Sequence, residues 1–137
     1  MKLMWLMLAG ALGTAARYGL TSTIHSWLSG RGSGGFVTGA QGTIFPLGTL
    51  VVNVIGSLLL AFITTLALHE AVKPELRLTL GTGFLGAFTT FSTFELESEN
   101  LLSSGAWWLS TVYIAGNLLL GFSAIFLGRA IALRVLS

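Results

Sequence analysis

The chain has 137 residues, of which 53% are hydrophobic and 9% charged. A soluble domain carries about 25% charged residues, so too little polar surface is present to cover a water-soluble globule, and the composition predicts an all-α integral membrane protein. The net charge of +2 comes from scattered Lys and Arg, which excludes the basic stripe that nucleic-acid binding needs. The absence of cysteine excludes disulfides, zinc–thiolate sites and thiol nucleophiles.

Four apolar stretches follow one another, at about 3–28, 47–68, 76–102 and 106–133. Each provides the roughly 20 residues that a helix needs to cross the hydrocarbon. The expectation is a single transmembrane domain over 1–137 with four helices. In the first stretch, Lys2, an apolar run and Ala15-Ala16 imitate a secretory signal. The rest of the chain is itself apolar, so the first span is expected to serve as its own targeting signal. Arg17 lies deep in this stretch, where a guanidinium is costly. It is expected to snorkel, to pair with a carboxylate, or to line a wet vestibule whose positive potential gathers anions. The Gly, Ser and Thr of residues 29–42 predict a loop.

The second stretch carries GTLVVNVIG (48–56) with Asn53 inside it. An amide in the hydrocarbon must find a partner or face a polar cavity. It either glues two helices together or donates its NH₂ to an anion. Residues 69–77 mix both signs of charge with Pro74, which suits the first turn of the next helix. If four spans are present, Lys2, Lys73, Arg77 and Arg134 share one side and Arg31 the other, which favours cytoplasmic termini. His25 and His69 fall near loop boundaries and are expected to be interfacial.

The third stretch is the most informative. Residues 81–94 hold three glycines and five hydroxyl side chains, a poor recipe for continuous helix, since glycine costs ~1 kcal/mol relative to alanine. An interruption near Gly86–Thr89 is predicted, because a membrane tolerates such breaks only where protein or a cavity satisfies the freed backbone. Phe91 and Phe94 are three apart and share a face. Their rings are either core packing or, through their positive edges, a lining that tolerates a small anion, with Ser92 and Thr93 beside them as donors. Ser103-Ser104-Gly105 predicts a tight hairpin into the fourth stretch, which opens on Trp107-Trp108 at an interfacial position. Glycines recur inside the spans and mark faces where helices pack closely. Nothing resembles paired catalytic carboxylates, a metal-spaced His cluster or a nucleophile–base pair, so no enzyme is expected.

The segments GALGTAARYG (10–19), GTLVVNVIG (48–56) and GFLGAFTTFSTFE (83–95), in this order, resemble the Fluc (CrcB-like) fluoride channel family. The resemblance implies passive, fluoride-selective efflux that lowers cytoplasmic fluoride. It also implies an antiparallel homodimer in the cell membrane, the inner membrane of a bacterium, with an interrupted third helix. By the same resemblance, Asn53 is a pore amide, and Phe91 and Phe94 are the pair flanking fluoride. Ser92 and Thr93 belong to a hydroxyl track, Tyr113 and Asn117 line the same pathway, and Glu97 is an acidic residue near one end of it. A structural Na+ at the dimer centre is implied on main-chain carbonyls of Gly86 and Thr89 from both subunits. Asn117 and Gly121 stand where members often have serine, and Glu95 where a small polar residue is common. Two other readings suit the size: a small multidrug-type proton-coupled exporter, which needs a carboxylate that the first stretch lacks, and a non-conducting membrane scaffold.

Overall fold

The structure is a computed structural model that describes residues 1–30 and 44–137; Arg31 and most of the predicted 29–42 loop lie outside them. Helices carry the described chain. Helix α1 is Lys2–Gly30 and α2 is Leu47–Leu68. Helix α3, residues 74–88, changes its winding along its length: an α turn at Pro74–Arg77, a π-helix at Leu78–Leu85 and a last turn at Gly86–Phe88. Helices α4 and α5 are Phe91–Ser103 and Trp107–Leu136.

Local chemistry sets the ends of these elements. Pro74 occupies the first turn of α3, where its missing N–H costs nothing. Helix α4 stops at Gly105, whose φ of +77° suits glycine. The Gly105 and Ala106 amides turn back onto the Leu102 and Leu101 carbonyls, both at 2.9 Å, closing a Schellman motif. Helix α2 ends the same way with Glu70 in the left-handed position (φ 58°), so that Glu70 and Ala71 donate to Ala67 and Leu66.

Helices α2 and α5 are long and apolar enough to cross a membrane. Helix α1 has the length, but Thr14, Arg17 and the polar residues 21–23, 25 and 26 dilute its apolar character. The outer faces of the bundle are greasy, with Leu119, Phe122 and Phe126 exposed on α5 and Leu3, Met7 and Leu12 on α1. Side chains of that kind on the outside are costly in water and stable in lipid. Composition and surface therefore place the chain in a membrane.

Glycine lets the helices meet. A Cβ on Gly13 would overlap the Phe84 carbonyl, and one on Gly83 would come within 2.9 Å of the Ala9 Cβ, so α1 lies backbone to backbone on the π segment of α3. Gly128 does the same for α5 on α2, where an added Cβ would overlap the Leu58 carbonyl. Gly121, by contrast, has nothing within 4 Å of that position. Two small cores result: Phe45, Leu50, Phe94, Leu101 and Tyr113 in one, and Val52, Leu85 and Phe88 in the other. Residues 89–90 pass the chain from the second core to the first.

Gly128→Ala forces a backbone shift between α2 and α5 and is expected to cost about 1–3 kcal/mol. Gly121→Ala should stay within about 0.5 kcal/mol of the parent. Thermal unfolding in detergent measures both, and equal melting temperatures would contradict the close approach.

Candidate functional site

Between α3 and α4 the helix stops. Thr89 (φ −80°, ψ 158°) and Thr90 (φ −150°, ψ 111°) are extended, so the helical ladder is broken for two residues. The break falls at the C-terminal edge of the Gly86–Thr89 segment rather than at Gly86 itself. Gly81 and Gly83 are absorbed by the π-helix and its contact with α1, whereas β-branched threonines favour extended backbone.

The Thr90 N–H, which in an unbroken helix would reach the Gly86 carbonyl, donates instead to Asn53 Oδ1 at 2.9 Å. Asn53 Nδ2 donates to the Thr90 carbonyl at 3.2 Å and to Asn117 Oδ1 at 3.2 Å. One amide on α2 thus holds both backbone groups of Thr90 and reaches across to α5. Thr89 closes the end of α3 by donating both its N–H and its hydroxyl to the Leu85 carbonyl, each at 3.0 Å. Thr90 donates its hydroxyl to Thr93 Oγ1 at 2.7 Å.

Around this break lies a cavity of about 240 Å³ whose walls include Asn53, Thr89, Thr90, Phe91, Phe94 and Asn117. The Phe91 and Phe94 rings are 5.6 Å apart and tilted by 46°. Phe94 is buried and Phe91 is 67% exposed on the outside of the chain.

A second polar group continues from the first. Asn117 donates through Nδ2 to the Tyr113 carbonyl at 3.0 Å. The fully buried Tyr113 donates its hydroxyl to Glu97 Oε2 at 2.6 Å, and the Thr49 hydroxyl donates to Glu97 Oε1 at 2.9 Å. The Tyr113 ring packs 5.5 Å from both Phe94 and Phe45. Thr49 and Glu97 open onto a larger cavity of about 520 Å³, where α1 contributes Tyr18, Thr21 and His25. From Glu97 to Thr93 a seam of hydrogen-bonding groups links α2, α4 and α5. No buried polar side-chain atom among the described residues lacks a partner.

The structure therefore gathers Asn53, Phe91, Phe94, Thr89 and Asn117 at one cavity, joins Thr93 to it through Thr90, and ties Tyr113 to Glu97 at the next. Ser92 is exposed, as is Gly86. Arg17 is half-buried, lines neither cavity, and has no ion-pair partner among the described residues. Thr49 and Thr90 were missed by sequence reasoning. A signal for Thr49 was present, since it lies one turn before Asn53 on the same face of α2.

The family model of the CrcB-like proteins (Camphor Resistance, CrcB) matches residues 4–129. A protein of Nitratidesulfovibrio vulgaris named fluoride-specific ion channel FluC is 44% identical over 128 residues, 93% of each chain. Proteins of the same name from Acidobacterium capsulatum and Magnetococcus marinus are each 38% identical; the first covers 100% of both chains, and the second covers 96% of this chain and 97% of its own.

Asn53→Ala strands the Thr90 N–H and carbonyl together, at about 1–3 kcal/mol for each group left unpaired. Hydrogen exchange of the Thr90 amide is expected to accelerate sharply in this variant. Unchanged protection of that amide would show that Asn53 does not hold the break.

Proposed function

This chain belongs to the CrcB-like protein family, and from that premise we propose that it is a passive, fluoride-selective channel and not an enzyme. The observation that carries the reading is the cavity at Thr89–Thr90, where an amide, hydroxyls and two phenyl rings face one small space. Relatives matched over nearly their whole length are named for fluoride conduction.

Fluoride is small and holds its water tightly, so a pathway must replace several hydration bonds at once. Selectivity of this kind comes from pore width and the donors that line it. Asn53 supplies NH₂ hydrogens whose present bonds, at 3.2 Å, are at the long limit for N–H···O and can be shared with a passing anion. Thr93, Ser92 and Asn117 add donors, and the positive ring edges of Phe91 and Phe94 attract the ion without the trapping that a full cation would bring. Tyr113 and Glu97 lie toward one end of the pathway, and Arg17 is assigned to attracting anions at its approach.

A second copy of the chain is part of the proposal. Phe91 lies on the outside of a single chain, so its ring can flank a pathway only if another surface closes over it. The proposed assembly is an antiparallel homodimer of four-span subunits, multi-pass in the bacterial inner membrane, with the third span interrupted at Thr89–Thr90. A structural Na+ fits the residues at the break. With the Thr90 N–H given to Asn53, the Gly86 carbonyl is released from the helix ladder, and neutral carbonyl oxygens are the ligands that a hard cation prefers. Gly86 and Thr89 from two subunits would hold the ion, which would supply a fixed positive charge joining the two chains.

The test is efflux from vesicles loaded with potassium fluoride, with a potassium ionophore added so that K+ leaves with the anion, and read by a fluoride electrode. The purified protein is expected to release fluoride with no proton gradient, and Phe91→Ile or Asn53→Ala to slow release by about tenfold or more while leaving the dimer intact. Drug–proton exchange would favour an exporter, and silence from folded protein a scaffold. Removal of Na+ is expected to weaken dimerisation and flux together.

A further inference from the structure

Helix α2 touches the break at two points, and only one of them bears a functional group. Asn53 holds Thr90; one turn later, on the same face, Gly56 meets Thr89. A Cβ built on Gly56 would overlap Thr89 Cγ2, and would lie 3.4 Å from Phe88 Cδ1 and 3.6 Å from Thr89 Cβ. The conflict is therefore with one methyl group; the other two contacts are ordinary.

We infer that Gly56 is a positioning residue for the conduction site: its missing side chain is the notch that seats the Thr89 methyl, and this seating sets the register in which Asn53 meets Thr90. Gly56 is buried in the middle of α2, a helical position where glycine is a poor choice on propensity. Its backbone lies within a regular helix, and no left-handed conformation there demands glycine. Space for Thr89 is the remaining reason.

The consequence reaches the site through two residues. An alanine at 56 must push Thr89 away from α2. Thr89 is tied to Leu85 on one side and bonded to Thr90 on the other, so the displacement pulls Thr90 off Asn53 and shifts Phe91 with it. Gly56 touches none of the pathway donors, and its effect is entirely on where they stand. The inference rests on the channel reading for its functional arm and on packing alone for its structural arm.

The test uses size exchange. Thr89→Ser removes the methyl that an alanine at 56 would strike, yet keeps the hydroxyl that bonds to Leu85. The protein is compared as wild type, G56A, T89S and G56A/T89S, with G128A as a second clash on α2 that is directed at Leu58 and does not involve Thr89. Two quantities are read: hydrogen exchange of the Thr90 amide, and fluoride efflux per folded protein. G56A is expected to speed Thr90 exchange and to cut efflux about tenfold. T89S by itself sets the reference, and G56A/T89S is expected to return to the T89S values in both readouts. G128A should lower the melting temperature while leaving efflux per folded protein unchanged, which separates positioning from general packing. If G56A does not fold, recovery of folded, conducting protein in the double variant carries the same meaning.

The inference is overturned if G56A matches wild type in both readouts, or if T89S fails to rescue it, including the case where neither variant folds. A wild-type protein that passes no fluoride would sink the channel reading instead; the exchange arm would still decide whether Gly56 sets the break.

Discussion

A broken helix inside lipid is an electrostatic problem before it is a functional feature. Each backbone N–H or C=O left bare in hydrocarbon costs several kcal/mol, and at Thr89–Thr90 the chain leaves its helical ladder. The rest of the site depends on how that debt is met. Asn53 accepts from the Thr90 N–H and donates to the Thr90 carbonyl, two bonds from one side chain whose amide carries its acceptor and its donor on separate atoms. Aspartate lacks the donor, leucine lacks both, and serine is too short to reach two backbone groups at once.

Holding the break also dictates what surrounds it. For the Asn53 amide to reach Thr90, α2 must pass close to residues 89–90, and the approach is possible because Gly56 leaves room for Thr89. For α3 to end there, its π segment must lie close against α1, which Gly13 and Gly83 permit. Such contacts take the place that hydrophobic burial fills in soluble proteins, because lipid is as apolar as the side chains it surrounds. The two cores are small and sit on either side of the break. They anchor Phe88 and Phe94, so that the two extended residues are spanned between fixed points.

Much of the architecture could be read from the chain. Apolar blocks of membrane length, separated by polar or Gly-rich gaps, point to helices in lipid, and the motif around 83–95 points to the site. Glycine marked helix contacts at Gly13, Gly83 and Gly128, but not at Gly121, which faces open space. Sequence spacing does not say which side of a helix meets a neighbour. Composition placed the break within Gly86–Thr89. The structure puts it at the threonine end of that segment, because a glycine in a helix can also serve a neighbouring helix or a wider π turn. What lay outside local reading was the pairing. Asn53 meets Thr90 and Asn117 across separations of 37 and 64 residues, and Glu97 collects Thr49 and Tyr113 from two other helices. Partners of that kind are fixed by tertiary packing, which no periodicity encodes.

The same bonds that satisfy the break bear on conduction. A donor that is already paired costs little to keep in the membrane, whereas an unpaired one would be a standing penalty. A pathway for a strongly hydrated anion therefore has to be built from donors that are occupied at rest and can be shared in transit. The long bonds of Asn53 Nδ2, at 3.2 Å, suit this better than the short one between Tyr113 and Glu97, at 2.6 Å. In the proposed pathway Asn53 would be the donor that yields to a passing ion, while Tyr113 and Glu97 would keep their pairing and fix the shape of the wall. Phe94, buried against Tyr113, belongs to that fixed wall. Phe91, on the outside of the chain, has no such support, and its place in the proposed pathway depends on the surface that a second subunit brings.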